Sequence, residues 1–329
     1  MTDAEPLGEF ELIERYFSRS KSAAGNRTDV ILGIGDDAAL LRVPAGADLV
    51  AAVDTLVAGR HFIADCDARS IGHRALAVNL SDMAAMGATP AWATLALTLP
   101  SADGAWLERF SAGLLDLADT HGVALVGGDT TAGPLTISVQ ILGHVAQGTA
   151  LRRGGARAGD WLAVTGTLGD AGAGLALAAG RLHTAHYTSA AELVARYEYP
   201  SPRVEFGRAA RGIASAAMDL SDGLAGDVAK LAFASGLAAH VAVDRLPLSR
   251  ALESVVPEDQ AREWALAAGD DYELLIAVAP HRFAELAAAA QRVNLMCTAI
   301  GELRPGNGVQ WTLDGRSFTA PAHGYDHFR

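Results

Sequence analysis

Lysine is nearly missing from this 329-residue chain: only Lys21 and Lys230 occur, and neither follows a glycine. A Walker-type Gly-Lys-Ser/Thr loop, whose lysine reaches the terminal phosphates of a nucleotide, is therefore excluded. No lysine-bearing strand of the protein-kinase type is evident either. Cysteine is equally scarce. Cys66 and Cys297 stand in no metal-type or redox spacing, which points to a reduced, cytoplasmic compartment. There is no Gly-x-Ser-x-Gly nucleophile elbow, since Asp219 stands two places before Ser221. Aromatics make up only 6% of the residues, so a core drawn from the 50% hydrophobic content must be built from small aliphatics. The N-terminus is acidic and lacks a basic, apolar leader, and the apolar stretches are broken by charge or glycine. No signal peptide and no membrane span are expected. The formal net charge of −12 argues against nucleic acid or an anionic membrane as partner.

What is present is acid at turns. Six short clusters recur: Gly35-Asp36-Asp37, Val53-Asp54-Thr55, Asn79-Leu80-Ser81-Asp82, Gly128-Asp129-Thr130, Asp219-Leu220-Ser221-Asp222-Gly223 and Gly269-Asp270-Asp271-Tyr272-Glu273. Hard cations such as Mg2+ take oxygen ligands and bring substrate phosphates with them. Gathered carboxylates repel one another, so bound metal is the expected neutraliser. These clusters predict an enzyme that handles phosphates through magnesium, its distant aspartates converging on the ions.

The length suits two domains, and each half mixes helix and strand signals. In the first half a helix is expected over 7–20, with Phe10, Ile13, Tyr16 and Phe17 at helical spacing. Strands are expected at 30–34, 49–53, 91–99 and 135–145, and a short one at 124–126. A helix over 71–86 should stop at Gly87, and Ser101 should cap another that runs to His121. The arginine- and glycine-rich stretch 148–160 marks the boundary between domains 1–148 and 149–329. Beyond it, strands are expected at 161–165, 216–218, 239–243, 274–278 and 297–300, with helices after Asp170 and over 227–234, 259–267 and 282–291.

Local context ranks the clusters. Asn79 and Asp82 share one helix face, and Asp82 lies at the helix end where the macrodipole disfavours an anion. Its neighbours Leu80, Met83, Ala84, Ala85 and Met86 look buried, so a cation is expected beside it. Gly33-Ile34-Gly35-Asp36-Asp37-Ala38 mimics a dinucleotide fingerprint. Two acids would face the pyrophosphate, however, and Leu40-Leu41-Arg42-Val43 reads as a short strand rather than a helix. A tight turn presenting acids is the better account. Gly127-Gly128-Asp129 and Asp219–Gly223 both follow apolar strands and read as glycine-permitted turns. The 269–273 cluster suits metal or a cationic substrate, and Arg152 and Arg153 suit phosphates.

Taken together, the strings resemble the thiamine-monophosphate kinase family of the aminoimidazole ribonucleotide synthetase superfamily. They are Gly-Glu-Phe-Glu-Leu-Ile at 8–13, Gly-Ile-Gly-Asp-Asp-Ala-Ala at 33–39, Val-Asp-Thr-Leu-Val-Ala-Gly-Arg-His-Phe at 53–62 and Ala-Val-Asn-Leu-Ser-Asp-Met-Ala-Ala-Met-Gly-Ala at 77–88. Gly-Gly-Asp-Thr-Thr at 127–131, Asp-Leu-Ser-Asp-Gly-Leu at 219–224, Asp-Asp-Tyr-Glu-Leu at 270–274 and Gly-Tyr-Asp-His-Phe at 324–328 complete the set. The resemblance implies an α/β (α+β) fold of two domains, the first pairing with its mate into an intersubunit β-barrel in a homodimer. It implies transfer of the ATP γ-phosphoryl to thiamine monophosphate with several Mg2+ ions. Asp37, Asp54, Asp82, Asp129, Asp219 and Asp222 correspond to metal ligands. Gly128, Asp129, Arg153 and Ser221 correspond to ATP contacts, and His61, Asp270 and Tyr325 to substrate contacts. Asp270 stands where relatives often carry Glu, and Ala322 replaces an aromatic, which leaves Tyr325 as the stacking candidate. A related ATP-dependent synthetase that phosphorylates an amide oxygen is the alternative. No residue is expected to act as general base.

Overall fold

A computed structural model describes residues 8–18 and 27–321, and the chain divides into two compact units. The first holds the described residues up to Leu80 together with Thr89–Gln147; the second holds Ser81–Ala88 and the described residues from Gly148 onward. The 322–329 segment, with Ala322 and Tyr325, lies outside the described residues, as does part of the expected 7–20 helix.

In the first unit, helix α1 (Glu9–Tyr16) buries Leu12 and Tyr16, followed by buried Phe17. Short strands β1 (Val30–Leu32) and β2 (Leu40–Leu41) pair antiparallel, so the expected strand after Gly35-Asp36-Asp37 is present where a dinucleotide-binding helix would stand. The main sheet has strand order β3-β6-β4-β5, with β3 Ala47–Val57, β4 Thr89–Leu99, β5 Ala124–Ala132 and β6 Thr136–Ala146. Strand β6 pairs antiparallel with β3 on one side and β4 on the other. Strands β4 and β5 run parallel, which needs a crossover, and helix α3 (Gly104–His121) supplies it. Its N-cap is Asp103, not Ser101: the Asp103 carboxylate accepts from the Ala105 and Trp106 amides at 2.9 and 3.3 Å. A carboxylate gains from the helix dipole as well as from the hydrogen bonds, which favours it over a serine two places earlier. Helix α2 (Ala68–Ala85) crosses α3 with almost no gap. A Cβ at Gly72 would sit 2.0 Å from the Phe110 carbonyl oxygen, and one at Gly113 would sit 1.9 Å from that of Arg69.

The second unit is built on a seven-stranded sheet of order β13-β12-β9-β11-β7-β10-β8. Its strands are β7 (Trp161–Thr165), β8 (Ala216–Asp219), β9 (Ala238–Ala242), β10 (Leu274–Val278), β11 (Cys297–Arg304), β12 (Val309–Leu313) and β13 (Arg316–Phe318). Only the β9–β12 pair is parallel. Central β10 is buried throughout, which explains its unbroken apolar run. Helices α4 (Asp170–Ala178), α5 (Tyr187–Glu198), α6 (Val204–Ala210), α7 (Leu224–Ala234), α8 (Arg250–Val255), α9 (Glu258–Ala267) and α10 (Phe283–Arg292) surround it. Leu162, Val164, Met218, Leu231, Val241, Leu275 and Ile300 make the aliphatic core. Helices α5, α6 and α8 and the β12–β13 hairpin are additions to the expected elements.

Candidate active site

Gly35 adopts φ +118, and the turn it permits carries Asp36 and Asp37 to the surface, where the Asp36 carboxylate accepts the Asp37 amide at 2.8 Å. The turn borders a cavity of about 610 Å³ within the first unit. Its walls are Ile13 and Phe17 of α1, residues 34–39, Thr94 and Leu95 of β4, and residues 125–130 of β5. Asp37, Gly128 and Asp129 therefore face one space. The expected turn at Gly127-Gly128-Asp129 is not there: these residues lie inside β5, and the ladder to β4 slips by one residue between Ala93 and Thr94. Gly128 has φ +153, and a Cβ on it would lie 1.9 Å from the Leu95 carbonyl oxygen. The glycine is thus needed for close approach to β4 itself.

Asp54 sits mid-strand in β3 opposite Val139, away from the walls of that cavity. His61 follows β3 in a tight turn through Gly59 at φ +75. Its Nδ1 accepts the Val57 amide at 2.9 Å, so the ring is oriented and a neutral imidazole carries its proton on Nε2.

In the second unit the 219–223 and 269–273 segments lie against each other. Asp270 and Tyr272 donate their amides to the Ser221 and Leu220 carbonyls at 2.9 Å each, and Leu220 donates to that of Glu273 at 2.8 Å. A Cβ on Gly269 would be 2.6 Å from the Ser221 carbonyl, and one on Gly223 would touch the Ala267 backbone at 3.0 Å. The Ser81 hydroxyl donates to Asp219 Oδ2 at 2.9 Å, which ties the helix turn carrying Asp82 to the same loops. Asp82 is half-buried, amid buried Met83, Ala84 and Ala85. Arg153 opens a single 3-10 turn, and its backbone carbonyl accepts the Ser235 hydroxyl at 2.9 Å. The structure therefore groups Asp82, Asp219, Ser221, Asp222 and Asp270 around two adjoining loops.

Much of the acid expected to need metal is neutralised by protein cations. Glu273 is wholly buried and accepts from Thr165 Oγ1 at 2.7 Å, Arg196 Nη2 at 2.8 Å, Arg203 Nε at 2.7 Å and Arg203 Nη2. Burial alone would raise its pKa, but the two guanidiniums outweigh burial and hold it below the ordinary value. Asp271 takes the Gly169 amide on both oxygens at 2.9 and 3.1 Å, and burial pushes its pKa well up. These two acids of the 269–273 cluster are anchors inside the fold, and Asp270 is left half-exposed beside the Tyr272 hydroxyl. Lys230 bridges Asp222 and buried Asp227, at 2.9 Å from the latter. Arg196, Arg203 and Lys230 belong to no motif, so only their partners reveal their roles. Burial pushes the Cys297 thiol up to about 12, consistent with an inert side chain.

Among the described residues no group of three or more His, Cys, Asp or Glu is set to hold a metal by itself. Mg2+ is ordinarily held by one or two carboxylates plus substrate phosphates and water. The acids at the cavity rim and on the two loops are hard oxygen donors of that kind.

Two matching domains define the class. Residues 35–145 match the N-terminal domain, and 157–314 the C-terminal domain, of the AIR synthase related proteins. The chain is 48% identical over 322 residues to a thiamine-monophosphate kinase of Salmonella typhimurium, covering 98% of each. The crystal structure of such a kinase from Stenotrophomonas maltophilia superposes with a TM-score of 0.86 at 46% identity, over 92% of this chain and 96% of that one. A second solved structure, AaThiL complexed with AMPPCP and TMP, gives a TM-score of 0.77 at 30% identity, over 99% and 100%. The chain belongs to the thiamine-monophosphate kinase family.

Proposed function

We propose that this chain transfers the γ-phosphoryl group of ATP directly to thiamine monophosphate, giving thiamine diphosphate and ADP. The observation that carries this is the 48% identity over 98% of the chain to a curated kinase of that name. Domain 1–148 binds ATP and mediates dimerisation, and domain 149–329 completes the site. In the first, Asp37, Asp54 and Asp129 supply oxygen ligands to metal, Gly128 and Asp129 contact ATP, and His61 contacts thiamine monophosphate. Asp82, Asp219 and Asp222 supply oxygen ligands, Ser221 and Arg153 contact ATP, and Asp270 faces the cationic thiazolium, with Tyr325 as its aromatic partner.

Bound magnesium would screen the two polyanions from each other and steady the leaving diphosphate. The chain's own work is to hold and align. The attacking oxygen belongs to a phosphate already ionised at neutral pH, so no residue need remove a proton. Lys230 holds Asp222 through Oδ2, so a metal ion would take the other oxygen or share the carboxylate with the ammonium group. The chain is read as a homodimer. Support comes from β3, which leaves Leu49 and Val53 at 53% and 62% exposure, an unusual cost for a lone sheet face.

A single incubation with ATP, Mg2+ and thiamine monophosphate, read by chromatography, tests the reading. Thiamine diphosphate and ADP should form in equal amounts. ATP turnover only with another acceptor would favour the amide-activating synthetase, and binding without ADP would reduce the chain to a nucleotide-binding module.

A further inference from the structure

Glu273 is 0% exposed and has no part in the transfer described above, yet two arginines pair with it. Apolar side chains of similar volume can fill such a site without loss of stability, so packing alone does not require it. What apolar groups lack is a directional hold. We propose that Glu273, gripped by Arg203, Arg196 and Thr165, is a positioning residue that keeps the 270–273 segment in the turn presenting Asp270 to thiamine monophosphate. The proposal rests on the assignment of Asp270 to the substrate.

The geometry is specific. Asp270 and Tyr272 have φ +62 and +49, a left-handed backbone that non-glycine residues adopt only when the surroundings impose it. The surroundings do so alternately. Asp270 and Tyr272 are pinned through their amides to Ser221 and Leu220, while Asp271 and Glu273 are pinned through their carboxylates. Arg203 approaches Glu273 with Nε on one oxygen and Nη2 on the other, a two-pronged grip that fixes the plane of the carboxylate. Thr165 Oγ1 donates to Glu273 and accepts the Leu274 amide at 2.8 Å, which locks the start of β10 at the same point. Gly166 leaves room for the carboxylate, since a Cβ there would lie 2.1 Å from Glu273 Oε1. One residue before Glu273, the Tyr272 hydroxyl donates to Asp270 Oδ1 at 3.2 Å. Releasing Glu273 would free the turn, and with it the reach of an acid one carbon shorter than glutamate.

The test is a double-mutant cycle on the full chain with Glu273→Gln and Asp270→Ala, read by steady-state kinetics and thermal unfolding. Glu273→Gln should raise KM for thiamine monophosphate by about tenfold to 100-fold and leave KM for ATP unchanged. In the Asp270→Ala background it should add nothing, because the residue it positions is gone. Thr165→Val, which keeps volume and charge, should reproduce the KM effect in smaller measure, and it decides the matter should Glu273→Gln fail to fold. A folded Glu273→Gln enzyme with an ordinary KM for thiamine monophosphate, equal losses toward both substrates, or effects that multiply in the double variant would overturn positioning. A normal KM in Asp270→Ala alone would instead overturn the substrate assignment beneath it.

Discussion

Gly128→Ala tests whether the glycine pair in β5 serves the sheet. The new methyl would meet the Leu95 carbonyl oxygen at 1.9 Å, its carbon at 2.8 Å and the Leu95 amide nitrogen at 3.0 Å. All three are backbone atoms of β4, held on the other side by the pairing of Leu95 with Val139 of β6, so none can swing away. Holding alanine at φ +153 costs about 1–3 kcal/mol. Forcing β5 off β4 adds about 1–3 kcal/mol of overpacking. The sum, roughly 2–6 kcal/mol, is a large part of the ~5–15 kcal/mol that typically separates folded from unfolded protein. Gly122→Ala is the control: at φ +65 with nothing within 4 Å of its Cβ, it bears only the conformational cost of about 1–2 kcal/mol. Native-state hydrogen exchange localises the effect, which should appear as lost protection of the β4 and β5 amides, with weaker ATP binding at the cavity they border. If the β5 amides of Gly128→Ala stay as protected as those of Gly122→Ala, the close-approach argument is wrong.

Three further outcomes are expected. Asp103→Ala should lower stability by about 1 kcal/mol through loss of the α3 cap, whereas Ser101→Ala should leave the melting temperature unmoved. Glu273 has a depressed pKa in the fold, so its stabilisation is complete above its ordinary 4.5 and is lost as pH falls through the lower folded value. The melting temperature of Glu273→Gln should accordingly fall less steeply than that of the parent as pH drops below 4.5. Asp82→Asn should cut turnover by orders of magnitude while its circular dichroism stays that of the parent; a near-normal rate would remove Asp82 from the metal-binding set.

Apolar patterning made several elements legible. Helix α2 and strands β4, β7 and β10 appear within a few residues of their expected bounds, because each is packed on a face or buried whole and its apolar pattern records that. Helix α5, of 12 residues, escaped, and so did shorter helices. Helices α6 and α8 have 7 and 6 residues, too few for a period to register. The β12–β13 hairpin did leave a signal in Asp314-Gly315, whose φ values of +51 and +73 make the tight two-residue turn that this dipeptide favours.

The order of residue types along the chain carried the resemblance to the family, the absence of a lysine-based phosphate loop, and the recurrence of acids beside glycine. Those are properties of local composition and spacing. Which acids remain available for a ligand was settled only by tertiary structure. Asp271 and Glu273 are carboxylates beside Asp270 in a string of letters, yet one caps Gly169 and the other lies between two arginines some 70 residues away in sequence. A carboxylate's role depends on which cation or amide the fold brings within 3 Å of it, and partners that distant in sequence leave no mark on the residues beside it.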